Sequence, residues 1–369
     1  MNTSIALEDK RALKWPEIYS LGALNAAVVI SWIAYHEYQP VLVEKFNFQG
    51  LVQFMIASKA IILVVIPPLA GWLADQILKK NGKYFTVFTV GISATAMIFM
   101  IVASLIGAGP LESVRAVLPV MIVLWLIAMN LFVSPANSMI EAFAPAQKLP
   151  IVVGFLFLVT ELIYALEPVI VALVRFFGDT ITFVVGGILI SVTGYIFHRV
   201  SSNEVMQRKK ELVEQPAVKT SAMGYLAIVM VGLQLGIGKA FLVEFFPHRM
   251  DEKFVEFAAY SDYVALGLLA LAAILAFAVS KKVAKAKADQ VITYATLGLI
   301  PGVLLIIMGS SIALYILGGI ITAVAFSVLN VSGLPFAIKN LSIRHITYGV
   351  GVFIGASELF TGLFDYFLH

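Results

Sequence analysis

Cysteine is absent from this chain of 369 residues, and charged side chains are scarce at 13%. Without cysteine, the chain has neither a disulfide framework nor a thiolate metal site. So few charged residues cannot cover the surface of a soluble globular protein of this length. The polar segment Met1–Trp15 leads into an apolar run without a small-residue cleavage motif, so we expect no removable signal peptide.

Hydrophobic residues, in contrast, make up 60% of the chain, and the mean hydropathy is +0.96. Because one helix needs roughly 20 apolar residues to cross a hydrocarbon core, this composition indicates an all-α polytopic membrane protein. By that rule we count eleven spans. They are about Ile18–Pro40, Gly50–Leu78, Tyr84–Gly107, Arg115–Phe143, Leu149–Phe177, Thr180–Val200, Ala222–Phe246, Phe254–Ser280, Asp289–Gly309, Ile312–Ile338 and His345–Phe367.

Basic residues are distributed unequally between the loops on the two sides. One side has Lys10, Arg11, Lys14, Lys79, Lys80, Lys83, Lys148, Arg199, Arg208, Lys209, Lys210, Lys219, Lys281, Lys282, Lys285, Lys287, Lys339 and Arg344. The other has only Lys45, Arg115, Arg175, Arg249 and Lys253. Since basic loops stay in the cytoplasm, this asymmetry predicts a cytoplasmic N-terminus in a multi-pass protein of the cell (inner) membrane. The odd number of spans then places the C-terminus outside.

An apolar motif with one glutamate occurs twice, as GFLFLVTEL at Gly154–Leu162 and as GVFIGASEL at Gly351–Leu359. The repeat predicts two pseudo-symmetric bundles, 1–200 with six helices and 222–369 with five, joined by a basic cytoplasmic linker at 201–221. Aligning the two copies leaves the sixth span without a counterpart. A twelfth helix is therefore missing, either from the natural protein or through truncation of the sequence, unless two helices are merged within one span.

The loop after the second span reads GWLADQILKKNGKYF. Gly71 permits close helix packing. Asp75 lies at the cytoplasmic end of a helix, where an acid can bind either the N-terminal amides of a neighbouring helix or a basic side chain. Gly82 and Lys83 follow Asp75 by seven and eight residues and precede an aromatic residue. This pattern resembles the loop signature of the major facilitator superfamily. The resemblance implies that these four residues form a gating motif.

The same loop spacing and two further stretches resemble the glycoside-pentoside-hexuronide:cation symporters and the related plant sucrose transporters. These stretches are SPANSMIEAFAPAQ at Ser134–Gln147 and SGLPFAIKNLSIRHITYGVGVFIGASEL at Ser332–Leu359. The resemblance implies the major facilitator fold and cation-coupled sugar symport by alternating access. The second span has Lys59 where the sodium-coupled melibiose carriers have carboxylates, which argues against sodium as the coupling ion.

Ionisable side chains inside the spans are costly unless they are paired, protonated or hydrated. The spans contain two lysines, Lys59 and Lys239, and one histidine, His36, but six candidate acids. Because not every acid can be paired with a basic group, some acids are expected to bind protons. The six acids are Glu37, Glu161, Glu167, Glu244, Asp262 and Glu358. We predict that Glu161, Glu358, His36, Glu37 and Asp262 serve proton coupling. Alternatively, Glu37, Glu244 and Asp262 are hydrated near the outer headgroups, and His36 simply bonds to the interface.

A polyol would be held by hydrogen bonds from amides and carboxylates and by an aromatic ring stacked on its apolar face. The candidate substrate-binding residues are Lys59, Lys239, Trp32, Gln234, Asn130, Asn137, Asn330, Tyr164, Tyr260 and Tyr263. The polar and aromatic members also fit a second interpretation, as helix–helix hydrogen bonds or interfacial aromatics. His36 and Glu37 have no clear further ligand, so we predict no metal site and no cofactor.

Our first hypothesis is a proton-coupled secondary transporter of a sugar or glycoside. A carrier of an anionic small molecule, such as a sugar acid or carboxylate, is the alternative suggested by the two lysines. A membrane receptor or scaffold that kept a carrier fold without transport is the third. No nucleophile–base pair or phosphate loop indicates an enzyme, and the basic loops lack the interleaved aromatics of a nucleic-acid surface. The expected partners are a small-molecule substrate, a proton and the lipid bilayer, with the protein as a monomer.

Overall fold

The computed structural model describes residues 12–45, 49–107, 117–214 and 220–368. Within them, eleven helical stretches are long and apolar enough to cross a membrane, which confirms the predicted number of spans. Lys10, Arg11, Arg115 and Lys219, which contribute to the charge asymmetry, lie outside the described residues. We call the side with most basic residues the inner side and the opposite side the outer side.

The described part of the N-terminal half, up to residue 214, contains the first six spans. Its helices are Trp15–Lys45, Val52–Asn81, Phe85–Gly107, Val117–Leu131, Val133–Ser138, Ile140–Phe143, Leu149–Ala165 and Glu167–Glu214, with 3-10 turns at Gln49–Leu51 and Ala146–Lys148. The two short helices continue the fourth span to its inner end. The last helix runs past the predicted end of the sixth span, so the predicted linker begins as helix.

The C-terminal half, from residue 220, contains the other five spans. Its helices are Ala222–Ala240, Phe246–Lys253, Ser261–Val283, Ala288–Met308, Ile312–Lys339 and Ile346–Leu368, with 3-10 turns at Val255–Tyr260 and Ile343–His345. A π-helical turn, Phe241–Phe245, joins the first two helices into one seventh span. Ser221 and Ser311 cap two of these helices, since their hydroxyls accept backbone N–H groups three residues on.

The fifth span is longer than the helix Leu149–Ala165. Leu166 interrupts the helix by a single residue, and its N–H still bonds to the preceding helical turn. The helix therefore continues to Gly178, where φ is 78° and ψ is 171°, a conformation that favours glycine. The Asp179 carboxylate accepts the Thr180 N–H at 2.7 Å, and the sixth span follows.

The repeated glycines lie at close contacts between the two halves. A Cβ atom added to Gly154 in the fifth span would lie 2.9 Å from Ser280 Cβ in the eighth. A Cβ atom added to Gly351 in the eleventh span would lie 2.3 Å from the carbonyl oxygen of Pro67 in the second. Glycine at these positions lets the helices approach. Each repeated glutamate lies two turns further out, about 10 Å along the helix axis.

The second and eleventh spans contact each other over most of their length, and we call this contact the seam. Its pairs, from the inner to the outer side, are Gly71 with Thr347, Pro67 with Gly351, Val64 with Gly355, and Ala60 with Gly362. Residue numbers fall in one helix as they rise in the other, so the two helices are antiparallel. The seam joins the N-terminal half to the C-terminal half.

Each half has a buried aromatic core. In the N-terminal half, the Phe88 ring lies 5.3 Å from Phe197 and 6.1 Å from Phe132, and all three are at most 1% exposed. In the C-terminal half, fully buried Tyr315 donates a hydrogen bond of 2.7 Å to the Phe246 carbonyl. Many large apolar side chains are exposed on the outside of the bundles, as expected for helices that face lipid.

Candidate functional site

Lys239 and Glu358 form an ion pair between the seventh and eleventh spans. Lys239 Nζ donates hydrogen bonds of 2.8 Å and 3.0 Å to the two carboxylate oxygens of Glu358. The two side chains are 34% and 20% exposed, respectively. Both residues lie near the middle of their spans, where a charge needs such a partner.

Glu161 belongs to the other half and is 9% exposed. It lies within electrostatic range of Lys239, Glu358 and Tyr164, a residue one turn further along the fifth span. Among the described residues, its carboxylate has no ion-pair partner within 4 Å and no hydrogen-bond donor. The two repeated glutamates therefore share the neighbourhood of one lysine, and the lysine bonds only to the second of them.

A second charged cluster lies on the outer side of the first. Lys59 Nζ is 3.0 Å from Asp365 Oδ2 and 3.4 Å from His36 Nε2. The Lys59 and Asp365 side chains are 14% and 16% exposed. Asp365 was not among the acids predicted to pair with Lys59. It follows Glu358 by seven residues, which is two helical turns, so spacing alone could have placed both acids on one helix face.

A cavity of about 180 Å³ lies between the halves, on the inner side of Lys239 and Glu358. Its lining side chains are uncharged and come from the first, fourth, fifth, seventh, tenth and eleventh spans. The polar members are Asn25, Asn137, Thr160 and Asn330, and Phe157 and Phe353 add aromatic surface. Because Thr160 directly precedes Glu161, the charged residues begin where the cavity ends.

Two of the cavity amides are available for hydrogen bonding. Asn137 Nδ2 already donates to the Val133 carbonyl at 2.9 Å. The side chains of Asn25 and Asn330 form no hydrogen bond with any described residue. Sequence reasoning selected Asn330 and missed Asn25, although an isolated amide in the apolar first span was a usable signal.

Other predicted substrate residues lie away from this cavity. Gln234 accepts a hydrogen bond of 3.0 Å from Thr296 in the ninth span, and Asn130 donates one of 2.8 Å to the Leu126 carbonyl of its own helix. These contacts fit the second interpretation, helix–helix or local hydrogen bonds. Trp32 packs edge-on against Trp125, with its ring 5.8 Å from that of His36.

Several predicted residues lie at the outer ends of the spans. Glu37 forms a two-point ion pair with Arg175, with distances of 2.7 Å and 3.1 Å. Asp262 is exposed, and Tyr260 and Tyr263 are 60% and 64% exposed. These positions separate them from the charged residues around Lys239.

The predicted gating motif connects the two halves on the inner side. Buried Asp75 accepts the Tyr348 N–H at 2.9 Å through Oδ2, in the first turn of the eleventh span. An anionic acceptor stabilises a helix N-terminus. A Cβ atom on Gly71 would lie 2.2 Å from the Thr347 carbonyl oxygen, so this contact requires glycine.

Gly82, at φ 66°, ends the second span by donating its N–H to the Leu78 carbonyl at 2.9 Å. Lys83 is exposed.

The aromatic residue that follows, Tyr84, is fully buried and donates a hydrogen bond of 2.8 Å to the Pro135 carbonyl. Its hydroxyl also contacts Ser138 and, at 3.3 Å, Thr347 of the other half. The loop therefore binds the eleventh span through both an acid and a hydroxyl network.

No cluster of three or more histidine or acidic side chains suited to a metal ion occurs within the described part of the chain. The arrangement is instead one of neutral amides, two lysine–carboxylate pairs and one further carboxyl group. Such a site can bind a polar solute and a proton at neighbouring positions.

No protein-family profile matches the sequence, and no curated protein matches it. Among solved structures, the chain is similar to the crystal structure of the human organic anion transporter MFSD10 (TETRAN). The TM-score is 0.70 at 12% sequence identity, over 96% of this chain and 93% of that chain. The chain therefore has the major facilitator fold of two pseudo-symmetric helical bundles, as predicted. The comparisons give no support to the sucrose and glycoside branch of the superfamily.

Proposed function

We propose that this protein is a secondary active transporter that couples a proton to the passage of a small polar solute across the cell (inner) membrane by alternating access. The proposal depends on the burial of Glu161. Its side chain is 9% exposed, and the neighbouring Lys239 already forms an ion pair with Glu358. A buried carboxylate without a partner costs several kcal/mol. A bound proton removes that cost, so we infer that Glu161 is protonated in this arrangement.

The charge balance supports a single coupling proton. The interface has two ammonium groups, Lys59 and Lys239, each with a carboxylate oxygen at 3.0 Å or less. Within the two described clusters around Lys239 and Lys59, Glu161 is the third carboxyl group, and with neutral His36 its protonation brings the net charge of these clusters to zero. A site without net charge can change its access from one side to the other at the lowest desolvation cost. We infer one proton per transport cycle.

The cavity favours a neutral sugar or glycoside as the solute. A carboxamide offers both a donor and an acceptor, which suits the adjacent hydroxyl groups of a sugar. Asn25 and Asn330 supply such amides from opposite halves, and Phe157 and Phe353 offer apolar walls for the ring faces. A solute that bonds to both amides would draw the two halves together.

An anionic small molecule, such as a sugar acid or carboxylate, is the second candidate. Its support is Lys239, whose side chain is 34% exposed and so remains accessible beside Glu358. Human MFSD10, which shares the fold, is described as an organic anion transporter. Competition by uronates but not by neutral sugars, lost in Lys239→Ala, would favour this candidate.

Purified protein in liposomes tests the proposal. A thermal-shift screen of sugars, glycosides, sugar acids and carboxylates first selects a solute, and its uptake is then measured with and without an imposed pH gradient. We expect gradient-driven uptake in the wild type. Glu161→Gln, which mimics the protonated acid, should lose the response to the gradient but retain exchange of labelled for unlabelled solute. Glu256→Gln, at an exposed outer acid, is the matched control and should behave as wild type. Full gradient-driven uptake by Glu161→Gln would refute the assigned role.

A further inference from the structure

The two halves differ in how their lipid-facing sides are covered. In the N-terminal half, the sixth span packs along the third and the first. A Cβ atom added to Gly187 would lie 3.2 Å from Phe99 Cβ of the third span. The Phe183 ring lies 5.9 Å from that of Tyr38 in the first span. In the C-terminal half, no described span covers the corresponding sides of the seventh and ninth spans, and the ninth packs along the tenth and only touches the seventh. A groove therefore remains between the seventh and ninth spans.

A second repeat aligns the first span with the seventh. EYQP at Glu37–Pro40 recurs as EFFP at Glu244–Pro247. With these motifs in register, Gln234 corresponds to Ala27, which is 1% exposed. Gln234 is only partly buried, and it lies near the middle of the seventh span, Ala222–Lys253. The C-terminal half thus has a polar, partly exposed side chain where the N-terminal half has a buried apolar one.

The Gln234 amide lies in the groove with unused hydrogen-bonding groups. Its Oε1 accepts a bond of 3.0 Å from Thr296 of the ninth span, so the side chain connects the two walls of the groove. Its Nε2 donates to no residue in the described part of the chain. Lipid tails accept no hydrogen bonds, so an unpaired N–H at this depth is costly unless another protein segment meets it. The amide therefore indicates an occupant of the groove that carries a hydrogen-bond acceptor.

The ninth span of a second copy has the chemistry of such an occupant. Its exposed large apolar side chains are Tyr294, Leu297, Ile300 and Leu304. Thr293 is exposed on the same helix, and its hydroxyl donates to the Asp289 carbonyl at 2.8 Å, which leaves its oxygen lone pairs free to accept. Thr293 is one helical turn from Thr296, the partner of Gln234, and so lies at a similar depth. Two copies in one membrane share their orientation, so a two-fold axis along the membrane normal can bring Thr293 of each copy to Gln234 of the other.

Charges at the inner end of the ninth span are complementary in the same arrangement. Lys287 and Asp289 are both exposed, and neither forms an ion pair with another described residue. In a two-fold dimer, Lys287 of each copy can meet Asp289 of the other. Exposed pairs of this kind add little affinity, but they favour one register of the two helices over shifted ones.

We propose that this protein is a dimer in the membrane, in which the ninth span of each copy lies in the groove between the seventh and ninth spans of the other. The arrangement closes both grooves and gives each Gln234 amide an acceptor inside the hydrocarbon region. It differs from the monomer expected from the sequence. It does not depend on the proposed transport, because dimerisation is measured without a solute or a pH gradient.

Single cysteines in the full-length protein test the contact, because the chain has no cysteine of its own. Leu297→Cys, at a side chain 58% exposed in the middle of the ninth span, lies where the two ninth spans meet. It should form a disulfide-linked dimer when the protein is oxidised in vesicles at high lipid dilution. Ile188→Cys, at a side chain 54% exposed on the sixth span, is the matched control and should stay monomeric. Equal cross-linking of the two variants, or no cross-linking of Leu297→Cys, would overturn the proposal.

Substitutions separate the contact between copies from packing within one copy. Single-molecule photobleaching in liposomes, over a range of protein-to-lipid ratios, gives the dissociation constant of the dimer. Gln234→Ala should raise this constant by about 10-fold, because each dimer loses two interhelical hydrogen bonds. Thr293→Val, at a side chain exposed in the single copy, should weaken the dimer in the same direction.

Thr296→Val is the control for these variants, since it removes only the bond within one copy. It should leave the dissociation constant unchanged. An equal loss in Gln234→Ala and Thr296→Val would give Gln234 a role only inside its own half and would contradict the contact. Wild-type protein that stays monomeric while it retains gradient-driven uptake would overturn the dimer and leave the transport proposal intact.

Discussion

Replacing Gly351 with alanine tests whether the seam closes the inner side. The added Cβ atom would lie 2.3 Å from the Pro67 carbonyl oxygen and 2.7 Å from its carbon, whereas ordinary contacts begin at 3.4 Å. The oxygen also accepts a hydrogen bond of 2.7 Å from Ser134 Oγ, which limits its movement. The second and eleventh spans must therefore separate by about 1 Å. The substitution thus resembles the insertion of an extra methyl group into a densely packed core.

Overpacking of this kind costs about 1–3 kcal/mol. The cost applies only while the two helices are in contact, because the methyl group has room once they part. The equilibrium between the closed and the inward-open arrangement should therefore shift by about 5- to 150-fold toward opening. The thermal stability of the closed protein should fall as well.

A single cysteine at Asn330, which lines the cavity, reports the opening. In inside-out vesicles, a membrane-impermeant maleimide should label Asn330→Cys faster by that factor when Gly351→Ala is also present. Gly267→Ala is the matched control, because a Cβ atom there meets nothing within 4 Å. Equal labelling rates for the Gly351 and Gly267 variants would refute the idea that this contact closes the inner side.

Two further predictions concern hydrogen bonds. Asn25→Ala should raise the KM for the transported solute by about 2- to 13-fold, the worth of one neutral hydrogen bond, while Asn340→Ala at the exposed inner surface leaves it unchanged. An unaltered KM in Asn25→Ala would remove that amide from the binding site. Tyr84→Phe should cost about 1–3 kcal/mol because the buried Pro135 carbonyl and the Ser138 and Thr347 hydroxyls lose a partner, and a thermal melt checks this loss. Tyr195→Phe, at a ring 62% exposed, is its control, and equal melting temperatures for the two variants would contradict the network's role.

Span number and fold class were accessible from the sequence for a simple reason. Each membrane-spanning helix satisfies its own backbone hydrogen bonds, so its presence depends on a local run of apolar residues. The break between the fifth and sixth spans was equally local, since it depends on Gly178 and the acid that follows it. The repeated glycine and glutamate also carried real information, because both glycines are contacts between halves.

The partners of the charged residues could not be predicted from the sequence in the same way. Lys59 pairs with Asp365, which is 306 positions away in the sequence and lies near the end of the last span. Gln234 and Asn130 are amides within the spans, as Asn25 and Asn330 are. Gln234, however, bonds to Thr296 of another helix, and Asn130 bonds to a carbonyl of its own helix. Hydropathy does not specify which face of a helix meets which neighbour, and these assignments depend on that choice.

The sequence by itself determined that this is a helical membrane protein of eleven detected spans with two related halves, and that ionisable groups lie inside it. Local composition is sufficient for this, because each span forms on its own in a bilayer. Only the tertiary structure decided that Lys239 pairs with Glu358, leaving Glu161 without a partner among the described residues, and that Asn25 and Asn330 line one cavity. Helix rotation and packing bring those side chains together, and both depend on contacts between residues distant in the chain.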